Sequence, residues 1–255
     1  MPRLVFLWLG LTALAVPLWA QGPTPCSSQS NIDHAKALAS ENKLSDATKI
    51  LYGAVETDPN CALAHLELGN VLYRRDQVGD ALIEFQKAAR LDPKMEEIHH
   101  RLGNALARLS RYSDAINEYT AALALNPHAA DVENDLGIAY AIKNSSAEAK
   151  EHFRKAIQLK PDFAMAHNNL GLVLKDDRNY PEAIAEFQKA ISVDPKYPDP
   201  HENLGNIYAI QKRYADVVRE YEEYLKLAPQ AEDAGSIRRA IISAKSARNE
   251  NPPER

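Results

Sequence analysis

The chain has 255 residues, of which 25% are charged, and its formal net charge is −5. This mildly acidic balance, without a basic segment, argues against a nucleic-acid-binding protein, so no nucleic-acid partner is expected. The length alone allows one or two domains.

The first twenty residues have the pattern of an export signal. Arg3 supplies one positive charge, residues 4–16 form an apolar run interrupted only by Gly10 and Thr12, and Ala20 is a small residue after that run. These are the features of a secretory signal peptide. The apolar run is also shorter than the roughly 18 residues that mark a membrane span.

We therefore predict a signal peptide at 1–20, a linker at 21–27, and a periplasmic or secreted protein whose mature chain does not insert into a membrane. The alternative is a chain anchored by an uncleaved N-terminal segment.

The rest of the chain follows a period of 34 residues. Prolines recur at that interval. Ten residues after each of the first five prolines stands a glycine that is preceded by leucine. The prolines are Pro59, Pro93, Pro127, Pro161, Pro195 and Pro229, and the glycines are Gly69, Gly103, Gly137, Gly171 and Gly205. A fixed period of this size predicts a solenoid, whose repeats bury their apolar faces against one another.

Six blocks fill the periodic region, which is followed by one helix and a tail. The blocks are 28–61, 62–95, 96–129, 130–163, 164–197 and 198–231. Residues 232–248 place Ile237, Ala240, Ile241 and Ala244 on one helical face, which predicts a C-terminal capping helix. Residues 249–255 are short, polar and proline-containing, and are predicted to be a disordered tail.

Within block 62–95, Leu68-Gly69 is followed by Ala81, Phe85, Ala88 and Pro93, and the same columns recur in later blocks. This pattern resembles the tetratricopeptide repeat, abbreviated TPR. The resemblance implies an all-α fold, a right-handed superhelical solenoid of antiparallel helix pairs. In block 62–95 we expect helix A at 62–75 and helix B at 79–91, because the small columns allow close helix packing and proline ends the second helix.

Two cysteines, Cys26 and Cys61, each precede a helix A and are one residue out of step with the repeat. They are therefore expected on the same edge of adjacent units. In an oxidising compartment they could form a disulfide that closes a loop of about 35 residues and contributes about 3 kcal/mol. The alternative is two independent thiols.

The sequence contains no hydrolase elbow, phosphate-binding loop or zinc pattern, so an enzyme is not expected and no cofactor or metal is predicted. Histidines recur in one column of four blocks, at His65, His99, His167 and His201. Equivalent positions of successive repeats are too far apart to share a zinc ion, so we interpret this column as packing.

The resemblance implies that the A helices line a concave face. We predict that this face is a peptide-binding groove. Its residues are Asn70, Tyr73, Arg74, Arg101, Asn104, Arg108, Asn134, Asn168, Asn169, Leu172, Asn203 and Asn206. Asparagine is a poor helix former, and its amide offers both a donor and an acceptor to the backbone of an extended peptide. The recurring asparagines could equally have been copied with the repeat.

Two functional hypotheses follow. The first is a non-catalytic scaffold or assembly factor that binds an extended peptide or a helix of a partner protein, similar in architecture to six-repeat proteins of pilus biogenesis. The second is the recognition arm of a larger enzyme system, resembling the repeat region of protein O-linked glycosyltransferases. The identity of the partner and the oligomeric state are left open.

We expect the exported protein to begin at Gln21 and to resist alkylation at Cys26 and Cys61 until it is reduced. Intact-mass measurement of periplasmic or secreted material, alkylated with and without reductant, tests both expectations. Two alkylated cysteines in the unreduced sample would contradict the disulfide, and a chain that still begins at Met1 would contradict cleavage.

Overall fold

A computed structural model of the protein describes residues 26–250, and this part of the chain is built from thirteen α-helices without a strand. In chain order they are α1 Gln29–Ser40, α2 Leu44–Thr57, α3 Ala62–Arg74, α4 Val78–Leu91, α5 Glu96–Arg108, α6 Tyr112–Leu125, α7 Ala130–Ile142, α8 Ser146–Leu159, α9 Ala164–Asp176, α10 Tyr180–Val193, α11 Asp199–Ile210, α12 Tyr214–Leu227 and α13 Ala234–Glu250. The predicted all-α solenoid of helix pairs is confirmed. The predicted signal peptide at 1–20 lies outside the described residues.

The helices pair in order along the chain, and each block of 34 residues supplies one pair. Helix A of each repeat packs on its own helix B, and helix B packs on helix A of the next repeat. Successive A helices, from α1 to α3 through α9 to α11, also approach one another directly. The A helices therefore converge on one side of the array, which is the inner side.

The core consists of the columns that the period predicted. Ala81, Phe85 and Ala88 of α4 are buried, as are their counterparts in the neighbouring repeats. In the last repeat the two alanine columns hold Val217 and Tyr224, which are buried as well. These larger side chains lie on α12, the helix on which α13 packs.

The C-terminal helix begins and ends later than expected. It occupies Ala234–Glu250 instead of 232–248, so residues 249 and 250 belong to this helix, and 251–255 lie outside the described residues. The start is set by Asp233, whose carbonyl accepts hydrogen bonds from the backbone N–H groups of Ser236 and Ile237. The Tyr224 hydroxyl holds Asp233 in place by donating to its carboxylate at 2.6 Å.

Each turn between helices A and B contains one residue in the left-handed backbone conformation, at the same column of all six repeats. These residues are Asn42, Asp76, Ser110, Asn144, Arg178 and Lys212, with φ between 58° and 63°. In the first turn, the N–H of Lys43 then reaches back to the carbonyl of Leu38 at 2.9 Å. This hydrogen bond caps the C-terminus of helix A in the left-handed capping motif. Glycine is the residue most often found at the left-handed position of that motif.

The first repeat is held to the array at its amino end. Cys26 and Cys61 form a disulfide with their Cα atoms 5.2 Å apart. Beside it, the backbone N–H and hydroxyl of Ser27 donate to the carboxylate of Asp58 at 3.0 and 3.1 Å. The hydrogen bond from the Ser27 backbone lowers the pKa of Asp58 below its ordinary value. Residues 26 and 27, which the sequence analysis assigns to the linker, thus contact the end of the first repeat, where Cys61 precedes α3.

The glycine of each Leu-Gly pair lies under an aromatic ring of helix B. A Cβ atom placed on Gly69 would lie 2.5 Å from the Phe85 ring, and one placed on Gly137 would lie 2.7 Å from the Phe153 ring. Such distances are too short for ordinary contact, so the two helices can approach this closely only where the side chain is absent.

We expect Gly137→Ala to destabilise the protein by about 1–3 kcal/mol, because the buried Phe153 ring cannot move away without disturbing the core. The matched control is Gly53→Ala in the middle of α2, where a new Cβ would have no neighbour within 4 Å. That change should stabilise by about 0.5–1 kcal/mol through helix propensity. Urea unfolding of both variants measures the difference, and equal effects would contradict the packing argument.

Candidate protein-interaction groove

Two adjoining cavities lie on the inner side of the first four repeats. One, the charged cavity, has a volume of about 370 Å³ and is lined by side chains of α1, α3 and α5. The other, the apolar cavity, has a volume of about 330 Å³ and is lined mainly by α5 and α7. Tyr73 and Asn104 line both, so the cavities form one continuous groove.

The charged cavity contains both signs of charge. Lys36 pairs with Glu67 at 2.9 Å, and Arg101 reaches Glu97 at 3.3 Å. The hydrogen bond to Glu67 raises the pKa of Lys36 further above its ordinary value. The third cationic side chain of this cavity, Arg74, donates to the backbone carbonyl of Ala39 at 2.9 Å and so closes the end of α1.

The apolar cavity is lined by Ala107, Ile138 and Ile142, and Ile142 remains 49% exposed. At its edge, Arg108 pairs with Asp76 at 2.6 Å, and its guanidinium carbon lies 5.4 Å from the centre of the Tyr73 ring. This cation–π contact orients the ring between the two cavities.

Asn104 is held in one orientation by the buried Tyr119. The Tyr119 hydroxyl donates to the side-chain carbonyl of Asn104 at 2.7 Å. Burial raises the pKa of Tyr119, and the Asp135 carboxylate adds to this shift, so the hydroxyl keeps its proton. The NH₂ group of Asn104 is then left as a fixed donor in the groove.

Three of the predicted groove asparagines are buried and serve a different purpose. Asn169 donates to Asn134 at 3.0 Å, and Asn203 donates to Asn168 at 3.2 Å. Asn134, Asn168 and Asn203 are at most 8% exposed. Their amides make hydrogen bonds between neighbouring A helices, which satisfy polar groups that are buried between these helices.

The hydrogen bonds between A helices form a series, which we call the inner ladder. Each joins the fifth residue of one repeat to the sixth residue of the next, 35 positions later. The pairs are His100–Asp135 at 2.8 Å, Asn134–Asn169 at 3.0 Å and Asn168–Asn203 at 3.2 Å. The paired residues are 35 positions apart in the sequence. A comparison of equivalent columns, which are 34 residues apart, does not find these pairs.

The structure thus divides the predicted groove residues into two sets. Those that line the two cavities are Asn70, Tyr73, Arg74, Arg101, Asn104 and Arg108. Those outside the two cavities are Asn134, Asn168, Asn169, Leu172, Asn203 and Asn206. Asn206 accepts a hydrogen bond from the Tyr221 hydroxyl at 2.8 Å, as Asn104 does from Tyr119. Lys36 and Tyr112, which the sequence analysis did not select, also line the cavities.

The histidine column pairs with carboxylates on helix B. His65 faces Glu84 at 2.6 Å, and its other ring nitrogen lies 3.1 Å from the carbonyl of Pro59. The same arrangement joins His99 to Glu118, His167 to Glu186 and His201 to Glu220. In the fourth repeat the pair is reversed, with Glu133 on helix A and His152 on helix B, again 2.6 Å apart. The histidines therefore hold helix A to helix B in the second to sixth repeats, whereas the first repeat has Asn31 and Ile50 in these columns.

A possible metal site in the described part of the chain also has a structural explanation. Cys26, Asp58 and Cys61 bring potential ligand atoms within 4.8 Å of one another. Both sulfur atoms are joined in the disulfide, so the thiolates that a metal would require are not available.

A family model described as "Tetratricopeptide repeat" matches residues 32–96 and 100–164, which is more than half of the chain, and one described as "TPR repeat" matches residues 179–212. The chain belongs to the tetratricopeptide repeat family. Its fold is therefore that of a repeat scaffold for protein interaction. No curated protein matches the sequence.

Solved TPR structures share this architecture. MamA is 26% identical, with a TM-score of 0.59, over 64% of this chain and 95% of MamA. PilW, titled a widely conserved type IV pilus biogenesis factor, is 19% identical, with a TM-score of 0.76, over 82% of this chain and 97% of PilW. YrrB, titled a TPR protein with an unusual peptide-binding site, is 20% identical, with a TM-score of 0.58, over 77% and 97%. The identities to PilW and YrrB indicate the fold alone.

The reversed pair of the fourth repeat offers a test of the histidine contacts. His152→Glu alone would set two carboxylates against each other at a nearly buried position, and should cost about 2–4 kcal/mol. Adding Glu133→His recreates the arrangement of the other repeats. The double variant should recover to within about 1 kcal/mol of wild type, the remainder reflecting the lost stacking of His152 on Tyr140.

Urea unfolding at neutral pH measures both variants. If the double variant is as unstable as the single one, the pair does not act as an interchangeable contact.

Proposed function

We propose that the protein is an exported, non-catalytic scaffold that binds an extended segment of a partner protein along the two cavities of the inner face. The observation that carries the proposal is the continuity of the charged and apolar cavities at Tyr73 and Asn104. Polar donors and an apolar surface in one groove suit a polypeptide, which offers backbone carbonyls together with side chains of both kinds.

The groove favours an extended segment over a helix. A helix satisfies its own backbone N–H and C=O groups internally, whereas an extended segment leaves them free. Asn70 and Asn104 bring amides to the groove, and the amide NH₂ of Asn104 points away from its partner Tyr119. Such amides can bind the backbone of an extended segment, while Ile138 and Ile142 accept an apolar side chain.

Export is supported by the predicted signal peptide and by the disulfide, because disulfides persist in oxidising compartments. Across residues 26–250, none of the helices has the length and apolar character needed to cross a membrane. The similarity to PilW, a type IV pilus biogenesis factor, and to YrrB, a TPR protein with an unusual peptide-binding site, is consistent with an assembly factor that holds peptides. No residue of the described part favours the alternative of a glycosyltransferase arm.

The test is a selection of peptides from a random displayed library on the exported protein, followed by affinity measurement. We expect Ile142→Asp to weaken the selected peptides at least about tenfold, because it places a charge in the apolar cavity. Ile83→Asp is the matched control, because Ile83 is 50% exposed on α4 and lines neither cavity. Equal binding by the wild type and both variants would remove the groove assignment.

A further inference from the structure

The inner ladder begins at His100 and does not extend to the charged cavity, because the fifth column holds Ile32 in the first repeat and Leu66 in the second. Where later repeats have His100, Asn134 and Asn168 in the fifth column, the second repeat has Leu66, which is fully buried. Its partner 35 positions later is Arg101, and a leucine side chain offers this residue no acceptor. Between the second and third repeats, the hydrogen bond of the later steps is therefore missing.

Without this hydrogen bond, the guanidinium of Arg101 has few hydrogen-bond partners within the protein. Its Nε atom is buried and has no hydrogen-bond partner among the described residues. Its Nη2 atom makes only a long hydrogen bond of 3.3 Å to Glu97, one turn earlier on α5. The Arg101 side chain as a whole is 43% exposed, so its guanidinium can reach a bound molecule. A buried N–H without an acceptor costs free energy that an incoming acceptor would recover.

Around Arg101, the charged cavity has more hydrogen-bond donors than free acceptors. Glu67 is occupied by Lys36 and Asn70, whereas none of the described residues brings a carboxylate within salt-bridge distance of Arg74. The NH₂ group of Asn104 adds a fixed donor between the cavities. The charged cavity is therefore complementary to an anionic acceptor.

We infer that the charged cavity binds the side-chain carboxylate of an aspartate or glutamate in the partner segment, received by Arg101 with Arg74 and Asn104 nearby. The same segment places an apolar side chain in the adjoining cavity, against Ile138 and Ile142. A carboxylate matches the planar guanidinium of arginine better than any neutral acceptor does. This inference rests on the proposed function, because it names the partner chemistry of the same groove.

The probes are two pools of nine-residue peptides, acetylated and amidated so that no terminal carboxylate is present. One pool has glutamate fixed at the central position and leucine fixed two residues later, with the other positions random but free of acidic residues. The second pool is identical except that glutamine replaces the glutamate. We expect the glutamate pool to bind the exported protein at least about tenfold more tightly at low salt, as for a hydrogen bond to a charged group.

Two variants, Arg101→Gln and Leu66→Asn, and one control, Arg154→Gln, test whether the preference for glutamate arises in the charged cavity. Arg101→Gln should remove the difference between the pools. Arg154→Gln is the matched control, because Arg154 is 54% exposed on α8 and lines neither cavity, and it should leave the difference unchanged. Leu66→Asn supplies the acceptor that Asn134 and Asn168 provide in later repeats, and should reduce the preference while Arg101 remains. Circular dichroism establishes that each variant is folded.

The outcomes separate the two ideas. If both pools bind equally and Ile142→Asp abolishes the binding, the groove assignment stands and the carboxylate inference is overturned. An unchanged preference in a folded Arg101→Gln variant also overturns the inference. If neither pool binds and the library selection yields no peptide that depends on Ile142, the proposed function fails, and the inference fails with it.

Discussion

The close approach of helix A to helix B, made possible by a glycine under an aromatic ring, is the contact on which the rest of the array depends. Gly69 under Phe85 and Gly137 under Phe153 set the same interhelical distance in separate repeats. Because the second to sixth repeats share this contact, their B helices are placed alike against the elements that follow, whereas the first repeat has Ala35 and Leu51 in these columns. The A helices are then brought together on one side, and the inner face forms as a consequence of packing.

The period predicted the repeats well because it is carried by residues that restrict the backbone or the packing distance. The prolines placed the end of each predicted helix B close to its observed end. Helix B of the second repeat, for example, was expected at 79–91 and is observed at Val78–Leu91. The turns were less predictable, because their left-handed column holds residues such as Arg178 and Lys212, whose side chains do not mark that conformation. There the fold imposes a backbone angle that the local sequence does not prefer.

The pairing of side chains in the groove could not be predicted from single columns of the repeat. The histidine column was interpreted as packing, but its carboxylate partners lie in a second column, and the fourth repeat exchanges Glu133 with His152. The inner asparagines also looked free when each column was read alone. Their pairing joins residues 35 positions apart, because neighbouring A helices are displaced by one residue at their contact, and such a displacement is a property of the assembled array.

This pairing bears on the charged cavity, which lies between A helices that the inner ladder does not join. From His100 to Asn203 the inner ladder uses its polar groups internally, and successive A helices are joined across the inner face. At Leu66 the second repeat replaces a polar partner by an apolar one, which keeps the core intact but leaves Arg101 without its acceptor. The first repeat also has an apolar residue in this column, Ile32, but its opposite residue Glu67 is paired with Lys36, so Arg101 is the residue that the missing hydrogen bond leaves without a partner at Nε. The carboxylate site that we propose therefore lies where the repeated side-chain pattern changes.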